Sequence, residues 1–367
     1  MFEKFNFKDV DYNKLQEAID LIKWDTLLQN LNVEDSINIF YNTIYEIINK
    51  YVKKKFIKSS TYPKWFSYDL KQLLIKKIIA HKIYKITCTQ KSYDEFSELR
   101  MKCKIKSNED YKIYISSVEK NLKLDTKQFW IYLNNKKSSR EYPTIMKYKK
   151  KICNNNDDIS NLFAEYFCDI YKDGDPNLLN NYFNDLCNKD DDINIEINRQ
   201  EIINSIKRMN SNVSVGPDGI PSILIKESSS SLISPLYNIF NKSLKESCLP
   251  SKWKLSYIIP VYKNKGDISH VENYRPITII SAIPKLLDCI ISEKIYNNCI
   301  DKISRFQHGS VEGKSIQTNL LHYTNFINSK LNINSQVDAI YTYFNKVFDM
   351  VNHKLLRGYL LNFFTKS

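Results

Sequence analysis

Ile258-Ile259-Pro260-Val261-Tyr262-Lys263-Asn264-Lys265-Gly266-Asp267, followed six residues on by Asn273-Tyr274-Arg275-Pro276-Ile277 and then Ile279-Ile280-Ser281, is the stretch on which the fold turns. Ile258–Val261 and Pro276–Ile280 are short runs rich in β-branched residues, so they read as two strands. Gly266-Asp267 is a turn signal between them. Upstream, Gly216-Pro217-Asp218-Gly219-Ile220-Pro221 is also a turn by its chemistry, because Pro presets one dihedral and Gly admits positive φ. From about residue 198 onward short apolar runs alternate with helical segments, including 223–249 with Leu236, Ile239, Phe240 and Leu244. That texture predicts an α+β region.

Before residue 198 the pattern is helical. Residues 13–56 read as helix, with Asp35 as a cap for a stripe through Ile37, Ile39, Phe40, Ile44, Ile47 and Ile48. Ser67 is the candidate N-cap of a helix through Leu70, Leu73, Leu74, Ile78, Ile79 and Ile83, whose other face carries Lys71, Lys76, Lys77, Lys82 and Lys85. A second basic helix is expected from about Ser92 to Leu122, and a short third one over Thr126–Leu133 with Phe129-Trp130. Residues 135–160 are polar and read as a linker, 159–172 return to helix, and 173–195 are acidic and Asn-rich. Three regions follow: 1–135, basic and helical; 136–197, a polar linker with one helix; and 198–367, the α+β part.

The chain has 367 residues and is 43% hydrophobic, enough for sizeable cores. Its net charge is +13, and the charge is local. Residues 51–150 hold 25 Lys and Arg against 9 Asp and Glu, which is +16, so the remainder nets −3. A concentrated basic stretch suits a polyanion, most often nucleic acid. Two readings are open for the lysines of 66–122: they track phosphates, or they merely solvate a helical hairpin. Two are open for Tyr84, Tyr93, Tyr111, Tyr114 and Trp130: they stack on unpaired bases, or they pack between the helices. The 8 cysteines form no Cys-x-x-Cys, so reduced thiols are expected and a zinc site is not. Met-Phe-Glu-Lys-Phe does not read as a signal peptide and no apolar run reaches membrane-spanning length. The expectation is an intracellular protein, cytoplasmic or nuclear, with no membrane partner.

Further landmarks are Pro250-Ser-Lys-Trp253-Lys254, Gln307-His308-Gly309, Thr318-Asn319-Leu320, and Tyr341-Thr-Tyr-Phe-Asn-Lys-Val-Phe-Asp-Met-Val-Asn-His353. In this order and spacing, from about 198 to 361, the motifs resemble the fingers and early palm of reverse transcriptases from non-LTR (LINE-type, jockey-like) retrotransposons. Residues 13–133 resemble, more loosely, the linker joining endonuclease to polymerase in those elements, with Trp65-Phe66 and Phe129-Trp130 as landmarks. The resemblance implies an α+β fold: an N-terminal helical region followed by an incomplete fingers/palm domain. The last motif matches the family's Tyr-Leu-Asp-Phe-Ser-Lys-Ala-Phe-Asp-x-Val-x-His.

The family's first Asp in that motif is a metal ligand, and here it is Tyr343. Polymerases hold two Mg²⁺ with carboxylates, and a phenol with a pKa of about 10 is a poor substitute. Val337–Phe344 alternates and reads as the palm strand. On it Asp338 faces the opposite side from position 343, and Asp349 lies almost two helical turns beyond. The chain ends at Ser367 before a Tyr-x-Asp-Asp turn. The resemblance assigns Arg275, Lys263 and Lys265 to the phosphates of an incoming nucleotide, Gln307 to the template, and Phe348 to a block on the ribose 2′-hydroxyl. A local ion pair within the turn is the competing reading of Arg275. Lys314 stands where the family usually has Arg, and Ile316 where it has Thr. RNA and DNA are the implied partners. Mg²⁺ is the cofactor of the intact family, and none is expected for this chain as it stands. The expectation is a catalytically inactive fragment of an RNA-directed DNA polymerase, or alternatively a retained RNA- or DNA-binding protein.

Overall fold

The computed structural model describes residues 2–57, 62, 63, 65–122, 129, 130, 132, 133, 142–170, 195–342, 351–353 and 356. They form two compact units: Met1–Lys4 with Phe56–Tyr142, and Phe5–Lys55 with Pro143–Ser367. The chain passes between the units through two short strands, Phe2–Phe5 (β1) and Lys54–Ile57 (β2).

The first unit is built on an antiparallel helical hairpin, Tyr68–Thr87 (α4) and Gln90–Asn121 (α5). Ser67 caps α4 as its sequence predicts: its Oγ accepts the Leu70 N–H at 3.1 Å. Asp110 on α5 accepts the N–H of Ser67 at 3.0 Å and fixes where α4 begins. At the tip, Cys88 takes a left-handed conformation (φ 49°) and Thr89 caps α5.

The second unit begins with Tyr12–Asp20 (α1), Trp24–Leu27 (α2) and Val33–Tyr51 (α3). The α3 cap is Asn32, whose side chain accepts the Asp35 N–H at 2.8 Å, so Asp35 sits inside the first turn rather than capping it. Both residue types accept from the backbone equally well, and the helix simply starts one turn earlier than the apolar stripe. Helix α3 packs on Ser229–Lys245 (α9), which is preceded by Arg199–Arg208 (α7) and Ser222–Glu227 (α8). With Ala282–Cys299 (α10) they enclose one apolar core around Phe40, Tyr41, Leu236, Phe240, Trp253 and Leu286.

A smaller core lies under Asn156–Ile170 (α6). It is floored by Met146–Tyr148 (β3) and Lys151–Cys153 (β4), a tight antiparallel hairpin within the polar stretch expected to be linker. Lys149 at φ 52° makes its turn. Strands Ser256–Tyr262 (β5) and Tyr274–Ile280 (β6) pair antiparallel as their sequence predicts, with Pro260 opposite Pro276. Two facing prolines have no N–H to exchange, so they must occupy a non-hydrogen-bonded position of the ladder. Ile316–Leu331 (α11) carries a Ser315–Thr318 capping box and buries none of its residues. Residues 337–342, expected to begin a palm strand, pair with no strand among the described residues, and Ile340 is 91% exposed. Alternating side chains cannot hold a strand without a neighbouring ladder. The whole is helix-rich α+β with small sheets.

Candidate nucleic-acid interface

The β5–β6 hairpin is oriented by two tyrosines. Tyr262 and Tyr274 are cross-strand partners with ring centroids 5.5 Å apart, and Tyr274 is buried against Phe163 of α6 at 5.1 Å. Side chains alternate along a strand, so turning Tyr274 into the core turns Arg275 out. Arg275 is exposed and forms no ion pair among the described residues; the local pair that competed for it is not formed. Past Tyr262 the chain makes its turn through Asn264 (φ 57°) and Gly266 (φ 83°), and the Tyr262 hydroxyl donates to the Gly266 carbonyl. Lys263 donates its ammonium to the Glu272 carbonyl at 2.7 Å, lying across the base of the loop. Lys265 is exposed in the turn.

Gln307 sits in a separate turn, where its Nε2 donates to the Gly309 carbonyl at 2.9 Å. Lys314 holds that turn by donating to the carbonyls of Arg305 (2.7 Å) and Gln307 (2.9 Å). His308 Nδ1 lies 2.8 Å from the Thr318 hydroxyl. Desolvation and the nearby Lys314 and His322 charges lower the His308 pKa, so its neutral form is favoured. This segment is a pinned scaffold; Lys314 serves backbone carbonyls. Tyr343 and Phe348 lie outside the described residues.

A cleft of about 900 Å³ opens beside the Gly216–Gly219 turn, between the end of α7, the end of β6 and α10. An Arg208–Glu293 ion pair of 2.5 Å spans it, and Ser205, Lys285 and Tyr296 contribute to its walls. Lys263, Lys265, Arg275 and Gln307 are not among its lining residues.

Sequence reasoning treated Gly216-Pro-Asp-Gly as a turn alone. In the structure Asp218 is the centre of a part-buried polar network. Its Oδ2 accepts from the Tyr41 hydroxyl (3.1 Å), its Oδ1 from the Ile220 N–H (3.1 Å), and its own N–H donates to Ser281 Oγ (3.2 Å). Trp253 Nε1 donates to the Tyr41 hydroxyl at 3.2 Å, and Tyr45 donates to the Asp218 carbonyl at 2.8 Å. Burial raises the Asp218 pKa above the ordinary carboxylate range. A lone Asp between two glycines, more than 170 residues after the two tyrosines that meet it, gives no local sign of this.

On the basic hairpin, Lys71, Lys76, Lys82 and Lys85 reach solvent from α4 and make no ion pair among the described residues. Lys77 is half-buried and faces Cys103 of α5. Ile78, Ile79 and Ile83, expected in the apolar stripe with Leu70, are instead exposed with the lysines. The aromatics are taken up by one another. Tyr84 pairs with Tyr93 at 5.3 Å and stacks near Phe96, Tyr111 meets Trp65 at 5.2 Å, and Tyr114 meets Tyr132 at 6.0 Å. Trp130 lies against Phe129 and is 58% exposed. No helix among the described residues is long and apolar enough to cross a membrane.

No protein-family model matches the chain. A retrovirus-related Pol polyprotein from the type-1 retrotransposable element R1 of Bradysia coprophila is 26% identical over 124 residues, 33% of this chain and 12% of that protein. A probable RNA-directed DNA polymerase from transposon BS of Drosophila melanogaster is 24% identical over 156 residues, 42% of this chain and 17% of that protein. The matched stretch is thus less than a fifth of the length of either relative. Over a third to two fifths of its length, this chain is similar in sequence to proteins encoded by retrotransposons and named as RNA-directed DNA polymerases or their polyproteins.

Proposed function

We propose that residues 198–367 are the fingers and the start of the palm of a non-LTR retrotransposon reverse transcriptase, and that this chain does not polymerise. One observation carries the second half: Tyr343 stands where the resemblance requires a metal-binding Asp. The chemistry of the donors agrees. Magnesium demands anionic oxygen, and a neutral phenol offers none. The described carboxylate nearest to it in sequence, Asp338, is exposed and accepts from Gln336 Nε2 at 2.9 Å. A tyrosine at position 343 does not supply the carboxylate that a magnesium pair needs there. The exposed Arg275 and Lys265 remain suited to phosphate oxygens as a fork and a point charge. The test is nucleotide incorporation by the purified chain on a primed RNA template with Mg²⁺. None is expected, and magnesium-dependent extension above background overturns the reading.

A second reading, nucleic-acid binding without chemistry, is favoured by the basic hairpin. Lysines that carry charge without a protein partner are free to displace counterions from a phosphate backbone. Filter binding of RNA and DNA across a salt series tests it. A steep fall in affinity with salt is expected, and no measurable affinity at low salt rejects it.

A further inference from the structure

Helix α4 has two apolar faces, and only one of them has a partner among the described residues. At about 100° per residue, Leu70, Leu74, Ala80 and Tyr84 fall on the side that packs against α5. On the opposite side Ile75, Ile79, Ile83 and Ile86 stand in line at i, i+4, i+8 and i+11, exposed by 44, 53, 46 and 83%. Lys71 and Lys82 run along one edge of this stripe and Lys76 along the other, and none of the three forms an ion pair among the described residues.

Isolated exposed isoleucines are ordinary, but four in register along one helix form a contiguous patch that water penalises. Phosphates account for the lysines and gain nothing from the isoleucines. A second copy docking stripe to stripe would set lysine rows against lysine rows, a like-charge pairing that costs stability. The complement of this surface is a helix with its own apolar stripe and acidic residues along both edges, the arrangement by which flanking charges choose helical partners. We propose that the outward face of α4 docks an acidic amphipathic helix of a partner protein, with Ile75, Ile79, Ile83 and Ile86 as the apolar contacts and Lys71, Lys76 and Lys82 as the selecting charges. The proposal goes beyond nucleic-acid binding. It shares three lysines with it, so helix and nucleic acid would exclude one another.

The experiment uses the full chain and two labelled, helix-forming peptides about six turns long. Both carry a leucine stripe, one flanked by glutamates and the other by lysines, and binding is read by fluorescence anisotropy. The glutamate-flanked peptide should bind at least roughly tenfold tighter, a difference of about 1.4 kcal/mol. The triple substitution Ile75→Ser, Ile79→Ser, Ile83→Ser should weaken it by at least that factor. Lys71→Glu, Lys76→Glu, Lys82→Glu should reverse the preference toward the lysine-flanked peptide, which keeps the test alive if the serine variant misfolds. Equal binding of the two peptides, or no binding of either, overturns the proposal. So does a wild-type dimer in sedimentation that the serine variant abolishes, because that assigns the stripe to a second copy. Loss of the RNA salt slope alone, with peptide binding intact, counts against the nucleic-acid reading and leaves this one standing.

Discussion

The Tyr41 hydroxyl on α3 donates to the Asp218 carboxylate at 3.1 Å, across 177 positions of sequence. Together with Tyr45 on the next turn of α3, it clamps the Gly216–Gly219 loop from one side, while Ser281 at the start of α10 receives the Asp218 N–H from the other. The loop therefore ties an N-terminal helix to the junction where β6 ends and α10 begins. That junction borders the cleft spanned by Arg208 and Glu293.

Burial raises the Asp218 pKa, so its neutral form is favoured in the folded protein. A raised folded pKa gives stability that is complete below the unfolded value and is lost as pH rises through the folded one. Urea unfolding of the wild type should therefore show a decline in midpoint that begins near the ordinary carboxylate pKa and continues above it. Asp218→Asn keeps an acceptor for the Ile220 N–H and removes the titration. In the variant that part of the decline should disappear. An unchanged pH profile would mean that Asp218 titrates alike in the folded and unfolded states, against the raised pKa.

Gly216 and Gly219 should both lose stability on substitution by alanine, to different extents and for different reasons. A Cβ on Gly216 would lie 2.6 Å from Ser281 Cα and 2.9 Å from Ser281 N, both backbone atoms that cannot swing aside. A Cβ on Gly219 meets nothing within 4 Å, and its cost is only that of a side chain at φ +71°. Gly219→Ala should cost about 1 kcal/mol. Gly216→Ala should cost at least about twice that, because overpacking against backbone must shift β6 or α10. Denaturant midpoints of the two variants measure the difference, and equal losses would argue against the close approach.

What the sequence discloses here is local. Ser67 caps α4 within three residues of itself, and the β5 and β6 strands are runs of β-branched residues around a Gly turn, so both are readable from neighbours alone. The resemblance to retrotransposon polymerases is likewise carried by motif order. The Tyr41–Asp218 clamp is not readable, because a tyrosine in a helical stripe looks the same whether its hydroxyl meets water or a carboxylate. The isoleucines of α4 mislead for a related reason. Apolar residues occur all around that helix, and periodicity alone cannot say which side finds α5. The 337–342 strand fails because pairing is non-local and those residues find no ladder partner among the described residues.

The cap of α3 gives a direct check on one such local ambiguity. Asn32 accepts from the Asp35 N–H, and its Nδ2 donates back to Asp35 Oδ2 at 2.8 Å. Asn32→Ala removes both contacts and should cost about 1 kcal/mol. Asp35→Ala removes only the returning contact and a first-turn charge, and should cost about half as much. Reversal of that order in thermal melts would restore Asp35 as the capping residue.

The hairpin makes a quantitative prediction about nucleic-acid binding. Lys76, Lys82 and Lys85 are exposed on α4 and Lys71 is half-exposed, whereas the half-buried Tyr84 ring is paired with that of Tyr93, which is itself exposed. If the lysines meet phosphates, each adds about 0.7 to 0.9 to the slope of log affinity against log salt. Replacing all four with Gln should reduce that slope by about 3, with a similar loss on RNA and DNA because phosphate contacts are blind to sequence. Tyr84→Leu should leave the slope unchanged and lower the melting temperature, since the ring packs against Tyr93 and Phe96. A Tyr84→Leu variant that binds single strands more weakly while melting normally would put the ring on the nucleic acid, and an unchanged slope in the lysine variant would leave those lysines merely solvating the hairpin.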